Sequence, residues 1–259
     1  MKIVIIGSGN LATQLSQTLR EAGWGIAQIY SRMAEHAQLL AEKLGCDYTA
    51  SVDAIITDAD VYIFSIKDDA LGSLTTAVSA RIQAANRQKA VFVHTAGSVP
   101  MDIFADSTAH YGVLYPMQTF SKNRRVNFRE IPCFLEASDE ETLQLIRILA
   151  DSISDKVVLA DSEKRKKLHL AAVFACNLTN HCYRLAEKVL QEESIDFKLY
   201  LPLINETARK VADMSPKEAQ TGPMVRYDVG VMNRQLALLS DERMRQIYRL
   251  MAESIHEDQ

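Results

Sequence analysis

The chain of 259 residues, 47% hydrophobic and 24% charged, has a globular composition and enough length for one large domain or two ordinary ones. Its net charge of −4 supplies no overall basic field and argues against a nucleic acid partner. No apolar stretch reaches the length of a membrane span, which argues against a membrane partner.

The chain opens on the apolar run Ile3-Val4-Ile5-Ile6, which ends in Gly7-Ser8-Gly9-Asn10-Leu11-Ala12. Lys2 and this run are too short for a secretory signal, since the run stops at the glycines. Helical spacing follows at once in Leu11, Leu15, Thr18 and Leu19. Strand, Gly-x-Gly-x-x-Ala turn and helix, in that order, suit a dinucleotide pyrophosphate. The first glycine permits the tight turn, and the second lets backbone N–H groups approach phosphate. The helix dipole favours the anion. Gly7, Ser8, Gly9, Asn10 and Leu11 are therefore candidate cofactor residues.

The second strand, 26–30, ends in Ser31-Arg32 rather than in the acidic residue that usually holds an NAD ribose. A hydroxyl and a guanidinium there suit a 2′-phosphate, so NADP (NADPH) is expected. Alternatively, Ser31 caps a helix from Met33 while Arg32 is solvated. Further strands are expected at 61–66, 90–94, 111–114, 132–136 and 156–159, with helices at 10–22, 33–44, 68–84 and 139–152. Several strands are continuously apolar, as in a parallel sheet covered on both faces. The alternation implies a doubly wound, mostly parallel sheet.

In such a sheet the carboxyl ends of the strands border the ligand crevice. Ser65, Ile66 and Lys67 at one strand end, with Thr95 and Ala96 at the next, should lie beside the cofactor. Lys67 is either a phosphate or substrate contact or a solvated lysine beside Asp68 and Asp69. His94 is either a proton donor or an imidazole bonded to backbone in its turn.

After Asp161 the pattern becomes helical. Residues 162–192 contain neither proline nor glycine, and further helices fit 196–213, 226–239 and 241–256. Two domains follow: a Rossmann NAD(P)-binding domain at 1–160 and an all-helical substrate and dimerisation domain at 161–259. The basic cluster Lys164-Arg165-Lys166-Lys167 is expected as a solvated helix start or an anion-attracting rim. Cys46, Cys133, Cys176 and Cys182 lack C-x-x-C spacing. They read as buried free thiols in a reducing, cytoplasmic setting, with no disulfide framework or metal site.

Together, the glycine turn, Tyr30-Ser31-Arg32, Ser65-Ile66-Lys67-Asp68-Asp69 and His94-Thr95-Ala96-Gly97 resemble a known group of reductases. It unites pyrroline-5-carboxylate reductases, ketopantoate reductases and β-hydroxyacid dehydrogenases. More specifically, the chain resembles a branch of uncharacterised NADP oxidoreductases with a C-terminal domain of unknown function. The residues carrying this are Tyr115-Pro116-Met117-Gln118-Thr119-Phe120-Ser121, His169-Leu170-Ala171-Ala172-Val173-Phe174-Ala175-Cys176-Asn177 and Thr221-Gly222-Pro223-x-x-Arg226-x-Asp228. Many members have histidine where this chain has Tyr115. The resemblance implies a helical domain like that of 6-phosphogluconate dehydrogenase, a homodimer through that domain, and a substrate site between the domains.

On an ideal helix His169, Cys176 and Asn180 share a face, with Asn177 about 80° away. His169 and Asn177 are candidate catalytic residues that orient a carbonyl or imine, the histidine exchanging a proton near neutral pH. A helix–helix hydrogen bond is the alternative. The Lys-x-x-x-Asn pattern of the β-hydroxyacid enzymes is missing, since Val173 precedes Asn177 by four and Cys176 precedes Asn180 by four. Thr221 and Gly222 offer a hydroxyl and an N–H to a substrate, and Arg226 a carboxylate clamp. Gln118 is a candidate wall of the same pocket. The alternatives are that Pro223 starts a helix, Arg226 pairs with Asp228, and Gln118 lies in an ordinary polar loop. The expected function is NADP-dependent hydride transfer to a small, carboxylate-bearing carbonyl or imine. The alternatives are a non-catalytic NADP-binding sensor and a deazaflavin-dependent oxidoreductase on the same architecture.

Overall fold

The structure, a computed structural model, describes residues 1–85 and 89–258. It divides into two compact units, Met1–Cys176 and Asn177–Gln259. In the first, the apolar runs form strands β1 (Lys2–Ile6), β2 (Gly25–Tyr30), β3 (Asp47–Thr49), β4 (Val61–Phe64), β5 (Val91–His94), β6 (Tyr111–Pro116), β7 (Cys133–Ala137) and β8 (Val157–Leu159). They make one sheet in the order β3-β2-β1-β4-β5-β6-β7-β8. Neighbours run parallel throughout, except that β6 and β7 are antiparallel.

Helices α1 (Asn10–Glu21), α2 (Ala34–Leu44), α3 (Asp68–Ala84) and α4 (Glu140–Ile153) cover this sheet, and α5 (Ser162–Ala172) follows β8. Strand β1 explains the continuous apolar pattern. Ile3 and Ile5 face one core with Leu15, Leu19, Leu40 and Leu149, while Val4 and Ile6 face another with Tyr62, Phe64, Val78 and Phe92. Because both faces are covered, neither set of alternating side chains is released to polarity. The expected elements of this unit lie within two residues of the observed ones. The exception is β3, a three-residue edge strand absent from the expected set.

From β1 the chain builds outward through β2 and β3, then returns to place β4 on the other side of β1. The strand order reverses there, so the carboxyl ends of β1 and β4 flank a crevice.

The expected long helix is helical from Ser162 to Glu192, but not uniformly. A π-helical stretch, Val173–Leu178, separates α5 from α6 (Thr179–Glu192). A π turn takes an extra residue, so the straight-helix register that aligned His169 with Asn180 does not carry across it. The second unit continues with α7 (Leu201–Asp213), α8 (Pro216–Ala219), α9 (Val229–Ala237) and α10 (Glu242–Glu257), without a strand among its described residues.

The second unit buries few hydrophobic residues, namely Leu190, Met232 and Ala252 among those described. Leu199 (72% exposed), Leu203 (61%), Leu238 (76%) and Leu250 (67%) lie open. All four cysteines are free thiols; only Cys133 is buried, and Cys46, Cys176 and Cys182 are half-buried. Among the described residues no helix is long and apolar enough to cross a membrane.

Candidate functional site

The glycine turn sits where β1 meets β4. Gly7 has φ +131°, and a Cβ there would lie 2.1 Å from the Ser65 carbonyl oxygen at the end of β4. No side chain but hydrogen is accommodated. Gly9 precedes α1 as its N-cap and supplies no side-chain cap, which leaves the N–H groups of the first turn directed at the crevice. The space a Cβ of Gly9 would enter is empty to 4 Å.

A cavity of about 770 Å³ opens from this turn, and residues of the first unit alone line it. It gathers all twelve expected cofactor residues: Gly7, Ser8, Gly9, Asn10, Leu11, Ser31, Arg32, Ser65, Ile66, Lys67, Thr95 and Ala96. Ser31 does not cap α2, whose N-cap is Met33 with no side-chain bond. Instead the Ser8 hydroxyl donates to Ser31 Oγ at 2.8 Å, tying the glycine turn to the end of β2. Arg32 is exposed and makes no hydrogen bond or ion pair among the described residues, as befits a guanidinium open to an anion. Lys67 and Lys122 also line the cavity, against one carboxylate, Asp68, which accepts a hydrogen bond from Ser98.

Further along the cavity lie Thr95, Ala96, Gly97, Ser98, Tyr115 and His169. The Tyr115 hydroxyl stands 3.0 Å from His169 Nδ1. Burial raises the Tyr115 phenol above its ordinary value, only partly offset by the nearby Arg165 guanidinium, so it stays protonated near neutrality. Gly97 makes room for the imidazole, since a Cβ there would lie 2.5 Å from His169 Nδ1.

Helix α5 is fixed one turn earlier by Arg165, which is fully buried. Its guanidinium pairs with Glu136 of β7, donates to the Val99 carbonyl at 2.5 Å and reaches Ser162 Oγ at 3.3 Å. Glu136 also accepts from the Ser162 backbone N–H (2.9 Å) and hydroxyl (2.8 Å). This corrects the solvated basic face expected at 164–167 for Arg165. A guanidinium with a carboxylate partner is tolerated inside where an isolated one is not.

His94 is not a proton donor to the cavity. It is fully buried, its Nδ1 accepts from the Ala96 N–H at 3.1 Å, and its Nε2 lies toward the Pro100 carbonyl without a fully formed hydrogen bond. Burial, reinforced by Arg165, pushes its pKa down to about 3. The backbone-bonded alternative is the one realised.

Gln118 is exposed and folds back, its Oε1 accepting from the Thr119 N–H at 2.8 Å. Asn177, Thr221, Gly222 and Arg226 belong to the second unit. There Gly222 has φ +108°, and 222–227 forms a turn region rather than a helix started by Pro223. Asp228 accepts from the Val231 N–H to cap α9, and Arg226 makes no ion pair among the described residues. His36 and Lys122 are among the cavity residues that the sequence reading did not single out, and Tyr115 was named only within a motif, without a role in the site. Tyr115 had a visible signal, its place at the carboxyl end of a strand.

A switch-point glycine turn, an uncapped helix start and an acid-free, cationic β2 end define a nucleotide-binding Rossmann oxidoreductase, and these residues fit NADP. A family model described as "NADP oxidoreductase coenzyme F420-dependent" matches residues 2–95, and a domain of unknown function (DUF2520) matches 131–255. A Bacteroides fragilis protein assigned as an NADP oxidoreductase is 47% identical, covering 99% of this chain and 98% of its own, with a TM-score of 0.94. The chain therefore belongs to this family of NADP oxidoreductases with a DUF2520 C-terminal domain, and its cofactor is NADP. Protein TM1727 of Thermotoga maritima is 24% identical (97% and 99% covered, TM-score 0.74). An imine reductase of Myxococcus stipitatus, in complex with NADP+, is 16% identical (99% and 92% covered, TM-score 0.67). These two share the fold. No functionally curated protein matches the chain.

Proposed function

We propose that this protein is an NADPH-dependent reductase of a small carbonyl or imine that carries a carboxylate. The observation that carries the reading is His169, presented to the cofactor cavity with Nδ1 held by Tyr115. Bound NADPH supplies the hydride to the substrate carbon. The chain supplies the matching proton. With Tyr115 on Nδ1, His169 uses Nε2 to protonate the oxygen or nitrogen that gains the electron pair. The small residues Thr95 to Ser98 leave room for the reacting group beside that imidazole.

Asn177 is assigned to orient the substrate, with Gln118, Thr221 and Gly222 as further polar contacts and Arg226 as the carboxylate clamp. These roles rest on the motif resemblance. A homodimer through the second unit is supported by its open leucines, whose exposure a lone helical unit would not sustain. A cytoplasmic location accords with the four free thiols. The imine reductase and a pyrroline-5-carboxylate reductase of Coxiella burnetii (TM-score 0.59) support the choice of a C=N substrate.

The test is NADPH oxidation across keto acids and cyclic imines, with F420 included because the family description names it. Turnover that is lost in His169→Ala, with NADPH affinity kept, is the expected result. The missing Lys-x-x-x-Asn pattern supports a second reading, an NADP-binding sensor. Tight NADPH binding with no turnover across the panel would establish that reading instead.

A further inference from the structure

The segment between β6 and β7 is laid along α1 by side chains on one face of that helix. Gln14 Nε2 donates to the Ser121 carbonyl (2.8 Å) and to the Lys122 carbonyl (3.3 Å). One turn on, Gln17 accepts from Arg125 at 2.8 Å, and Glu21 pairs with the same guanidinium at 2.5 Å. Positions 14, 17 and 21 share a helix face. The segment therefore runs parallel to α1, with Lys122 toward the helix start and Arg125 toward its end. Phe120, packed on the core and stacked on Phe128 (5.6 Å between centroids), and a bridge between Ser121 and Arg124 hold the turn.

This placement delivers Lys122 to the cavity that Gly9, Asn10 and Leu11 also line, at the start of the helix whose first-turn N–H groups have no side-chain cap. Its backbone is tied down, whereas its ammonium has no ion-pair partner among the described residues. Gln14 is itself fully buried, with its side chain committed to the segment rather than to solvent. Its Nε2 is satisfied by those two carbonyls, while its Oε1 is buried without a hydrogen-bond partner among the described residues, a desolvation cost borne at the position that holds the turn.

We propose that Lys122 is a cofactor ligand that neutralises the dinucleotide pyrophosphate opposite the glycine turn, and that Gln14 is its positioning residue. The inference rests on the NADP assignment of this cavity and not on any turnover. The pyrophosphate is common to NADPH and NADH, whereas the 2′-phosphate is not. A Lys122 contact to pyrophosphate must therefore weaken both cofactors by the same factor, unlike an Arg32 contact to the 2′-phosphate.

The experiment is calorimetric titration of the full chain with NADPH and NADH at several ionic strengths. Lys122→Met is expected to weaken both cofactors on the order of tenfold at low salt, a loss that shrinks as salt screens the charge. Lys122→Arg should retain most of the affinity. Gln14→Leu should weaken NADPH in the native background and add nothing in the Lys122→Met background. Wild-type affinity of Lys122→Met for both cofactors overturns the proposal while leaving the NADP assignment intact. A loss confined to NADPH also overturns it, by moving Lys122 to the 2′-phosphate. Failure of the wild-type chain to bind either cofactor would instead defeat the NADP assignment itself, and the proposal with it. Equal losses for Gln14→Leu in both backgrounds would overturn the positioning role.

Discussion

The Tyr115 hydroxyl and His169 Nδ1 meet at 3.0 Å, which joins the carboxyl end of β6 to the last turn of α5 at the wall of the cofactor cavity. The contact occupies one ring nitrogen and leaves the other for chemistry. Tyr115→Phe should leave NADPH affinity within about twofold while lowering turnover about 10- to 100-fold, since a proton donor loses its orientation rather than its identity. Steady-state rates beside NADPH titration check this; unchanged turnover would remove Tyr115 from the site.

Gly97 offers a separate probe of the same imidazole. A methyl group there would overlap His169 Nδ1 at 2.5 Å, so Gly97→Ala must push the ring aside or shift its loop. Turnover is expected to fall at least as far as in Tyr115→Phe, with thermal stability lowered by about 1–3 kcal/mol from overpacking. A crystal structure of the variant with both the ring and the loop unmoved would contradict this.

Arg32 should determine cofactor choice. Arg32→Met is expected to weaken NADPH by about 10- to 100-fold, the worth of a charge-assisted phosphate contact, and NADH by less than about twofold. Paired dissociation constants measure it. Equal losses for the two cofactors would sink the 2′-phosphate assignment.

Arg165 should matter to stability more than its surface-like neighbours suggest. Arg165→Met strands the Glu136 carboxylate and is expected to cost about 3–5 kcal/mol, read as a fall in melting temperature on the order of 10 °C. Adding Glu136→Leu should recover much of the loss, because the stranded charge goes with it. Lys164→Met and Lys167→Met, both at exposed positions, should change stability by less than about 0.5 kcal/mol.

The pH dependence of stability follows from His94. Its folded pKa is depressed to about 3 from an ordinary 6.5, so between those values the unfolded chain binds a proton that the folded chain does not. Stability should therefore fall as pH drops from 6.5 toward 3, and His94→Asn should flatten that slope. Asp139 adds a lower step. Burial works to raise its carboxyl, but hydrogen bonds from Thr142, His110 and Ser138 together hold it well below the carboxylate range. Its contribution is full above the unfolded value near 3.8 and is lost as pH falls further. Denaturant titrations across this range test both, and a flat profile for the wild-type chain would contradict them.

Much of this was legible in the residues themselves. The buried strands announced themselves because a strand covered on both faces must be apolar at every position, as Ile3 to Ile6 are. The glycine turn was legible because a backbone approaching phosphate excludes side chains. Strand β3 was not, since Asp47-Tyr48-Thr49 is short, lies at the sheet edge and keeps Tyr48 exposed, which leaves little hydrophobic pattern. Arg165 was read as solvated because a run of four cations says nothing about which of them finds a carboxylate.

Sequence alone therefore determined the α/β order, the switch-point cofactor turn, the NADP-favouring end of β2 and the helical character of the second half. Each rests on local physics: strand burial, backbone access, or the sign of a charge. Tertiary structure decided which side chains meet. Tyr115 against His169, Arg165 against Glu136, and Lys122 carried along α1 by Gln14 are pairs distant in the chain. Their partners are set by how the sheet and helices stack, and no local pattern encodes that stacking.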